Sequence, residues 1–155
     1  YFGGKEGLFC AIVEDLSEQI LSPLVEADVD NLPPRDALTA IGKQVMSVVL
    51  SDRAIALLRI VIAQNQQFPE LGQLFFTSGP KPRCEGLAKY LQDQQDQGKL
   101  KPCDSQRAAT QFVGMFLGIQ QMQRLLGITQ APSPAEITAI VEDAVDAFLE
   151  GHQRD

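Results

Sequence analysis

The chain has 155 residues, 45% of them hydrophobic and 21% charged, and a formal net charge of −7. That length suits one ordinary domain with its own core, and the apolar fraction excludes a disordered tail. The acidic balance makes the chain a poor binder of nucleic acid or anionic membranes by charge alone, and the lack of any apolar run of about 18 residues excludes a bilayer-spanning helix.

Apolar residues recur at helical spacing almost throughout, and no strand-type alternation outlasts four or five residues. Proline and glycine divide the chain into segments. A first helix is predicted over 5–27, with Phe9, Ile12, Val13, Leu16, Ile20 and Leu24 inward, and Pro23 should bend it or end its regular part. Prolines at 33 and 34 break the chain, and Pro34 suits the first turn of a second helix reaching about 50, with Leu38, Ile41, Val45, Val48 and Val49 inward. Ser51 or Asp52 caps a third helix to about 67. Its middle, 55–63, is apolar on every side except for Arg59, which predicts a central, buried helix.

Pro69 interrupts, and a short helical turn carries Leu74, Phe75 and Phe76. A helix from 80 to 97 follows, with Leu87, Tyr90 and Leu91 on one face and Gly98 as its stop. Asp104 or Ser105 caps the next, which ends at Gly127, and Ser133 caps a last helix over 134–150. The sum is six long helices and one short, an all-α bundle in one body.

Cys10, Cys84 and Cys103 are odd in number and far apart, which supports neither a disulfide framework nor a metal knuckle. Reduced thiols in a cytoplasmic protein are the simple reading. Cys84 and Cys103, near Lys81, Arg83 and Lys101, could pair as a redox sensor or be inert thiols. The one histidine, His152, lies close to the end, so imidazole metal cages and Ser-His or Cys-His catalytic pairs are not expected. Residues 1–9 lack the layout of a signal peptide.

The opening string Tyr1-Phe2-Gly3-Gly4-Lys5-Glu6-Gly7-Leu8-Phe9 sets an aromatic pair, two small residues and Lys-Glu-x-Leu before a long amphipathic helix. It resembles the closing signature of the TetR/AcrR-type helix-turn-helix, in which the aromatic pair ends the recognition helix and the lysine begins the fourth helix. Leu58-Arg59-Ile60-Val61-Ile62-Ala63, followed by Phe68-Pro69-Glu70-Leu71, resembles a helix-six signature of that family. Gly98-x-Leu100 and Ala108-Ala109-x-x-Phe112 resemble the approach to its helix eight. The resemblance implies that residues 1–4 are the remnant of an N-terminal helix-turn-helix domain whose other helices lie upstream, and that 5–155 form a TetR-like regulatory bundle that binds ligand and dimerises through its last two helices.

It implies a DNA-binding transcriptional regulator, not an enzyme: a cytoplasmic repressor released by a small apolar or amphipathic effector. Its partners would be a second copy and double-stranded operator DNA, with no membrane and no cofactor. Tyr1 and Lys5 would touch the phosphate backbone, and Phe2 would pack between the two parts. Lys5 also sits in a first helical turn, where free N–H groups attract an anion; a solvated lysine is the plain alternative.

On the second-last helix, Ala109, Phe112, Val113, Phe116 and Gln120 form one stripe, and Thr110, Gly114, Leu117, Gly118, Gln121 and Leu125 another. A monomer's surface helix needs only one apolar face. Gly114 and Gly118 each weaken a helix by about 1 kcal/mol relative to Ala, tolerable where another backbone comes close. The candidate two-fold interface is therefore Gly114, Leu117, Gly118, Gln121 and Leu125 with Ile137, Ile140, Val141, Ala144, Val145 and Phe148; the alternative is two core helices of a monomer.

A ligand pocket needs apolar walls and a few polar groups. The candidates are Met46 and Val49, then Leu58, Arg59 and Ile62, then Phe75 and Phe76, then Leu87, Tyr90 and Leu91, with Phe112, Phe116 and Gln120 on the far wall. Arg59 would meet an acidic ligand or, more simply, an internal carboxylate such as Glu14, Asp15 or Glu70. The aromatics are equally readable as plain core. Two other readings stay open: a helical interaction module without ligand, and a helical enzyme with an apolar cavity, which would lack histidine pairs and a phosphate loop.

Overall fold

Proline marks the start of four helices in a computed structural model that describes residues 4–26 and 28–154, and the side chains of all of these but 6 and 20–26. The elements are α1 (Lys5–Glu26), a 3-10 turn (Val29–Asn31), α2 (Pro34–Val49), α3 (Asp52–Gln64), α4 (Pro69–Ser78), α5 (Pro80–Asp96), α6 (Ser105–Leu125) and α7 (Pro134–His152). Pro34, Pro69, Pro80 and Pro134 stand at first-turn positions, where the missing N–H is no loss. The hydroxyl of Ser51 accepts from the Ala54 amide, and the Asp104 carboxylate from the Arg107 amide. At α7, Ser133 and Glu136 cap each other's amides reciprocally.

Two helices stop through glycines in the left-handed region, Gly98 (φ 75°) and Gly127 (φ 73°). After Gly98, the Lys99 amide donates to Gln94 O and the Gly98 amide to Gln95 O, both at 2.9 Å. After Gly127, Ile128 donates to Gln123 O at 2.9 Å and Gly127 to Arg124 O at 3.1 Å. Each pair satisfies two carbonyls that a helix end leaves open.

The core lies where α2, α5, α6 and α7 meet, with α5 packed along α6 and α2 along α7. The Phe112 ring stands edge-on to Phe116 and to Phe148, both at 5.2 Å, and His152 stacks on Phe148 at 4.0 Å. The Lys101 amide donates to His152 O at 2.7 Å, tying the loop before α6 to the end of α7. Among the described residues no helix is long and apolar enough to cross a membrane.

α1 runs past Pro23 to Glu26, within the bounds expected for it. Two elements differ from expectation. α4 is a ten-residue helix rather than a single turn, because Pro69 starts it and Gly79 ends it. α3 is not central: only Ile55, Leu57 and Val61 are buried, while Ile60 and Ile62 are 48% and 57% exposed. Its neighbours α2, α4 and α6 reach only part of its circumference, and apolarity all round a helix does not say how many neighbours reach it.

α2 and α7 approach closely at Gly42, where a Cβ would fall 2.6 Å from Val141 Cγ1. Val141 is fully buried and has nowhere to go. Gly42→Ala gains about 1 kcal/mol of helix propensity against about 1–3 kcal/mol of overpacking, so a net loss is expected in urea unfolding. Adding Val141→Ala should recover part of it. Strictly additive losses in the double variant would mean that the two positions do not press on each other.

Candidate functional site

Six helices converge on a partly open cavity of about 70 Å³. α1 contributes Val13, Leu16 and Ser17, which share a face by their i, i+3, i+4 spacing. Val48 and Val49 come from the end of α2, Ala54 and Leu58 from α3, and Phe75 from α4. Gly79 and Pro80 form the α4–α5 elbow, Arg83 follows on the first turns of α5, and Gln121 closes the wall from α6.

The volume holds about two waters at ~30 Å³ each, whereas pockets for drug-sized ligands run to about 300–1,000 Å³. A molecule of that size has to part the helices that form the walls. α1 is the roof: the Ser17 hydroxyl lies 2.9 Å from Val13 O in its own helix and 3.0 Å from Ser78 O at the end of α4. A Cβ on Gly79 would sit 3.2 Å from Val13 Cγ1, so α1 rests almost directly on the elbow's backbone.

Among the described residues Arg83 brings the one charged group into this lining. Its Nε is buried and has no hydrogen-bond partner among the described residues. Burial holds its pKa below the ordinary arginine range.

Of the pocket residues expected from sequence, Val49, Leu58 and Phe75 line the cavity. Leu87, Tyr90, Leu91, Phe112 and Phe116 are buried in the core instead, because α5 and α6 pack those faces on each other, and Met46 is buried where α2 meets α6 and α7. Burial pushes the Tyr90 hydroxyl up to about 12, with Asp30 adding to it. Ile62 and Phe76 are exposed. Gln120 lines a separate groove of about 190 Å³ with Arg124, Glu136 and Ile140. Arg59 meets neither ligand space nor a carboxylate: it donates from Nη2 to Arg124 O at 2.8 Å and from Nε to Leu125 O at 3.3 Å, capping the end of α6.

Sequence reasoning missed Ser17, Ala54, Gly79, Arg83 and Gln121 as wall residues. Val13, Leu16 and Val48 did carry a signal, since they lie on the inward stripes of their helices. Arg83 carried none, because Pro80-Lys81-Pro82-Arg83 reads as a solvated helix start.

At the candidate interface, Leu117, Ile137, Val141, Ala144, Val145 and Phe148 are already packed inside this chain's own core. Gln121, Leu125 and Ile140 are half-buried. Gly114 and Gly118 are exposed, with open space where a Cβ would stand. Beside them on the outer face of α6 are Met115, Ile119, Met122 and Leu126, between 48% and 67% exposed. On α7 the outward Ala135, Ala139 and Ala147 repeat at four- and eight-residue steps.

Lys5 is exposed at the first residue of α1, while Tyr1 and Phe2 lie outside the described residues. Among the described residues no cluster of His, Cys, Asp or Glu could hold a metal ion. Cys84 is half-buried, and Cys103 has its thiol pushed up by burial and by Asp104, which disfavours the reactive thiolate.

Residues 36–153, well over half of the chain, match the family model of the AefR-like transcriptional repressor, C-terminal domain. No curated protein matches significantly. Among solved structures, a protein assigned to the TetR family of transcriptional regulators from Mesorhizobium loti superposes with a TM-score of 0.83 at 23% identity, over 99% of this chain and 77% of that one. The flavonoid-responsive regulator FrrA gives 0.77 at 26% identity, over 99% and 77%. A TetR family transcriptional regulator from Pseudomonas syringae pv. tomato gives 0.74 at 22% identity, over 99% and 76%.

Core and cavity wall are separable by truncation. Phe112→Ala, which deletes a fully buried ring, is expected to cost about 3–5 kcal/mol in urea unfolding. Leu58→Ala removes a half-buried side chain at the wall and should cost under about 2 kcal/mol. Equal losses would place Leu58 in the core and take away one wall of the cavity.

Proposed function

The chain belongs to the TetR family of transcriptional regulators, through a C-terminal domain of the AefR-like repressor type, and on that premise we propose that it is the effector-sensing and dimerising part of a cytoplasmic repressor. The observation that carries this reading is that α1 both roofs the six-helix cavity and carries Lys5 at its far end. DNA would be read by a helix-turn-helix preceding α1, with two copies setting the half-site spacing. Lys5, exposed in the first helical turn, is suited to a phosphate of the DNA backbone.

The effector is a small apolar or amphipathic molecule. The flavonoid response in FrrA's name supports an aromatic one, and Phe75 offers an aromatic wall. Because the cavity is far smaller than such a ligand, its entry lifts α1 from the elbow at Gly79 and tilts the end that bears Lys5. The effector therefore binds the open state more tightly than the closed one, which is the condition for shifting the equilibrium.

Dimerisation uses the outer faces of α6 and α7. Glycines at 114 and 118 leave room for a close helix, and Met115, Ile119, Met122 and Leu126 supply apolar area that nothing in the chain covers among the described residues. Buried positions such as Val141 and Phe148 support this face from beneath rather than forming it.

The effector reading is tested by a thermal-shift screen of flavonoids and related aromatics, followed by release of DNA flanking the protein's own gene. A ligand at 100 times its Kd stabilises by about 2.7 kcal/mol, and a hit that leaves DNA binding unchanged would overturn the coupling. For the interface, Ile119→Glu with Met122→Glu should turn a sedimenting dimer into a folded monomer. A dimer that persists puts the interface elsewhere.

A further inference from the structure

An arginine is a permanent cation, and moving its guanidinium out of water is unfavourable unless a carboxylate or several acceptors meet it. The other arginines buried or engaged at the bundle's seams meet this condition. Arg124 is paired with Asp52 and bonded to Leu50 O, Arg53 is paired with Asp15 and Arg35 with Asp146, and Arg59 caps carbonyls. Arg83 differs. Its Nε is buried without a partner, and none of the ion pairs among the described residues includes it.

The surroundings make the contrast sharper. Among the described residues no aspartate or glutamate lines the cavity that Arg83 enters. The polar side chains that share the lining are the Ser17 hydroxyl and the Gln121 amide, both neutral, and the Ser17 hydroxyl already has carbonyl partners. The rest of the wall is aliphatic or aromatic. The cavity is thus an apolar space with one positive charge on its α5 side, a half-buried arginine whose Nε no described residue meets.

We propose that the effector of this cavity is an aromatic acid, an apolar ring system whose carboxylate or ionised phenol oxygen accepts charge-assisted hydrogen bonds from Arg83 while the ring lies against Phe75 and Leu58. This rests on the effector-cavity reading above and adds the charge of the ligand to it. A guanidinium offers paired N–H donors that match a carboxylate, and such bonds are roughly twice as strong as neutral ones. The acid also gives the buried Nε an acceptor, so part of the affinity comes from satisfying a donor that has none among the described residues.

The test is calorimetric titration of the chain with a size series of aromatic acids, cinnamate, 2-naphthoate and a flavonoid carboxylate, each beside its neutral methyl ester. The acids should bind about 10- to 100-fold more tightly than their esters, the range expected of hydrogen bonds to a charged group. Arg83→Met, neutral and of similar length, should erase that preference and leave the ester affinities within about threefold. It should also raise the melting temperature of the ligand-free protein, since it removes a buried donor that lacks an acceptor, whereas an arginine with a purely structural role would lower it on removal.

Esters that bind as tightly as acids, or a preference that survives Arg83→Met, would overturn the assignment of an acidic effector and leave the cavity reading standing. If no member of either series binds, the cavity reading and the charge assignment fall together.

Discussion

Where α1 crosses the α4–α5 elbow, position 79 has no side chain, and a Cβ there would stand 3.2 Å from Val13 Cγ1 and 3.4 Å from Ser17 Oγ. At the same crossing the Ser17 hydroxyl reaches Ser78 O. This contact lets a long helix lie flat as a roof over the space between α2, α3, α5 and α6. Without it α1 would stand off the elbow and the cavity would be an open cleft. The roof and the lever are consequently one element: whatever enters the space beneath α1 acts on the helix that leads to Lys5.

Three arginines show how the same side chain serves three purposes in one bundle. Arg59 closes the C-terminal end of α6, and Arg124 ties that helix to the turn between α2 and α3. Arg59 takes two of its last carbonyls, and Arg124 turns back to Leu50 O at 2.9 Å and Asp52 at 2.6 Å. Together with the turn at the left-handed Gly127, Arg59 leaves that helix end with its acceptors satisfied, on the side where α2 turns into α3. Asp52 is almost fully exposed, so water screens this ion pair; the bond to the Leu50 carbonyl is the more sheltered anchor. Arg83 has no such arrangement and contributes charge to the cavity rather than closure to a helix.

Much of the architecture was legible because it is written in local backbone chemistry. Pro34, Pro69, Pro80 and Pro134, the caps at Ser51, Asp104 and Ser133, and the stops at Gly98 and Gly127 all lie where the sequence put them. The candidate site was legible only in outline. Val49, Leu58 and Phe75 reach the cavity, yet Phe112, Phe116, Tyr90 and Leu91, equally apolar and equally periodic, are core. Periodicity shows that a helix has an inward face, but core and cavity wall are both inward.

The sequence by itself determined the order of the helices and most of their ends, since caps, prolines and left-handed glycines act within a few residues of themselves, and its short motifs pointed to the family. Only the tertiary structure decided that Arg83, not Arg59, enters the cavity, that α3 keeps Ile60 and Ile62 outside, and that Val141 and Phe148 pack inward while Ile119 and Met122 face out. Those choices depend on which helix crosses which, and at what height. That is set by distant close approaches such as Gly42 on Val141 and Gly79 on Val13, which no local pattern records.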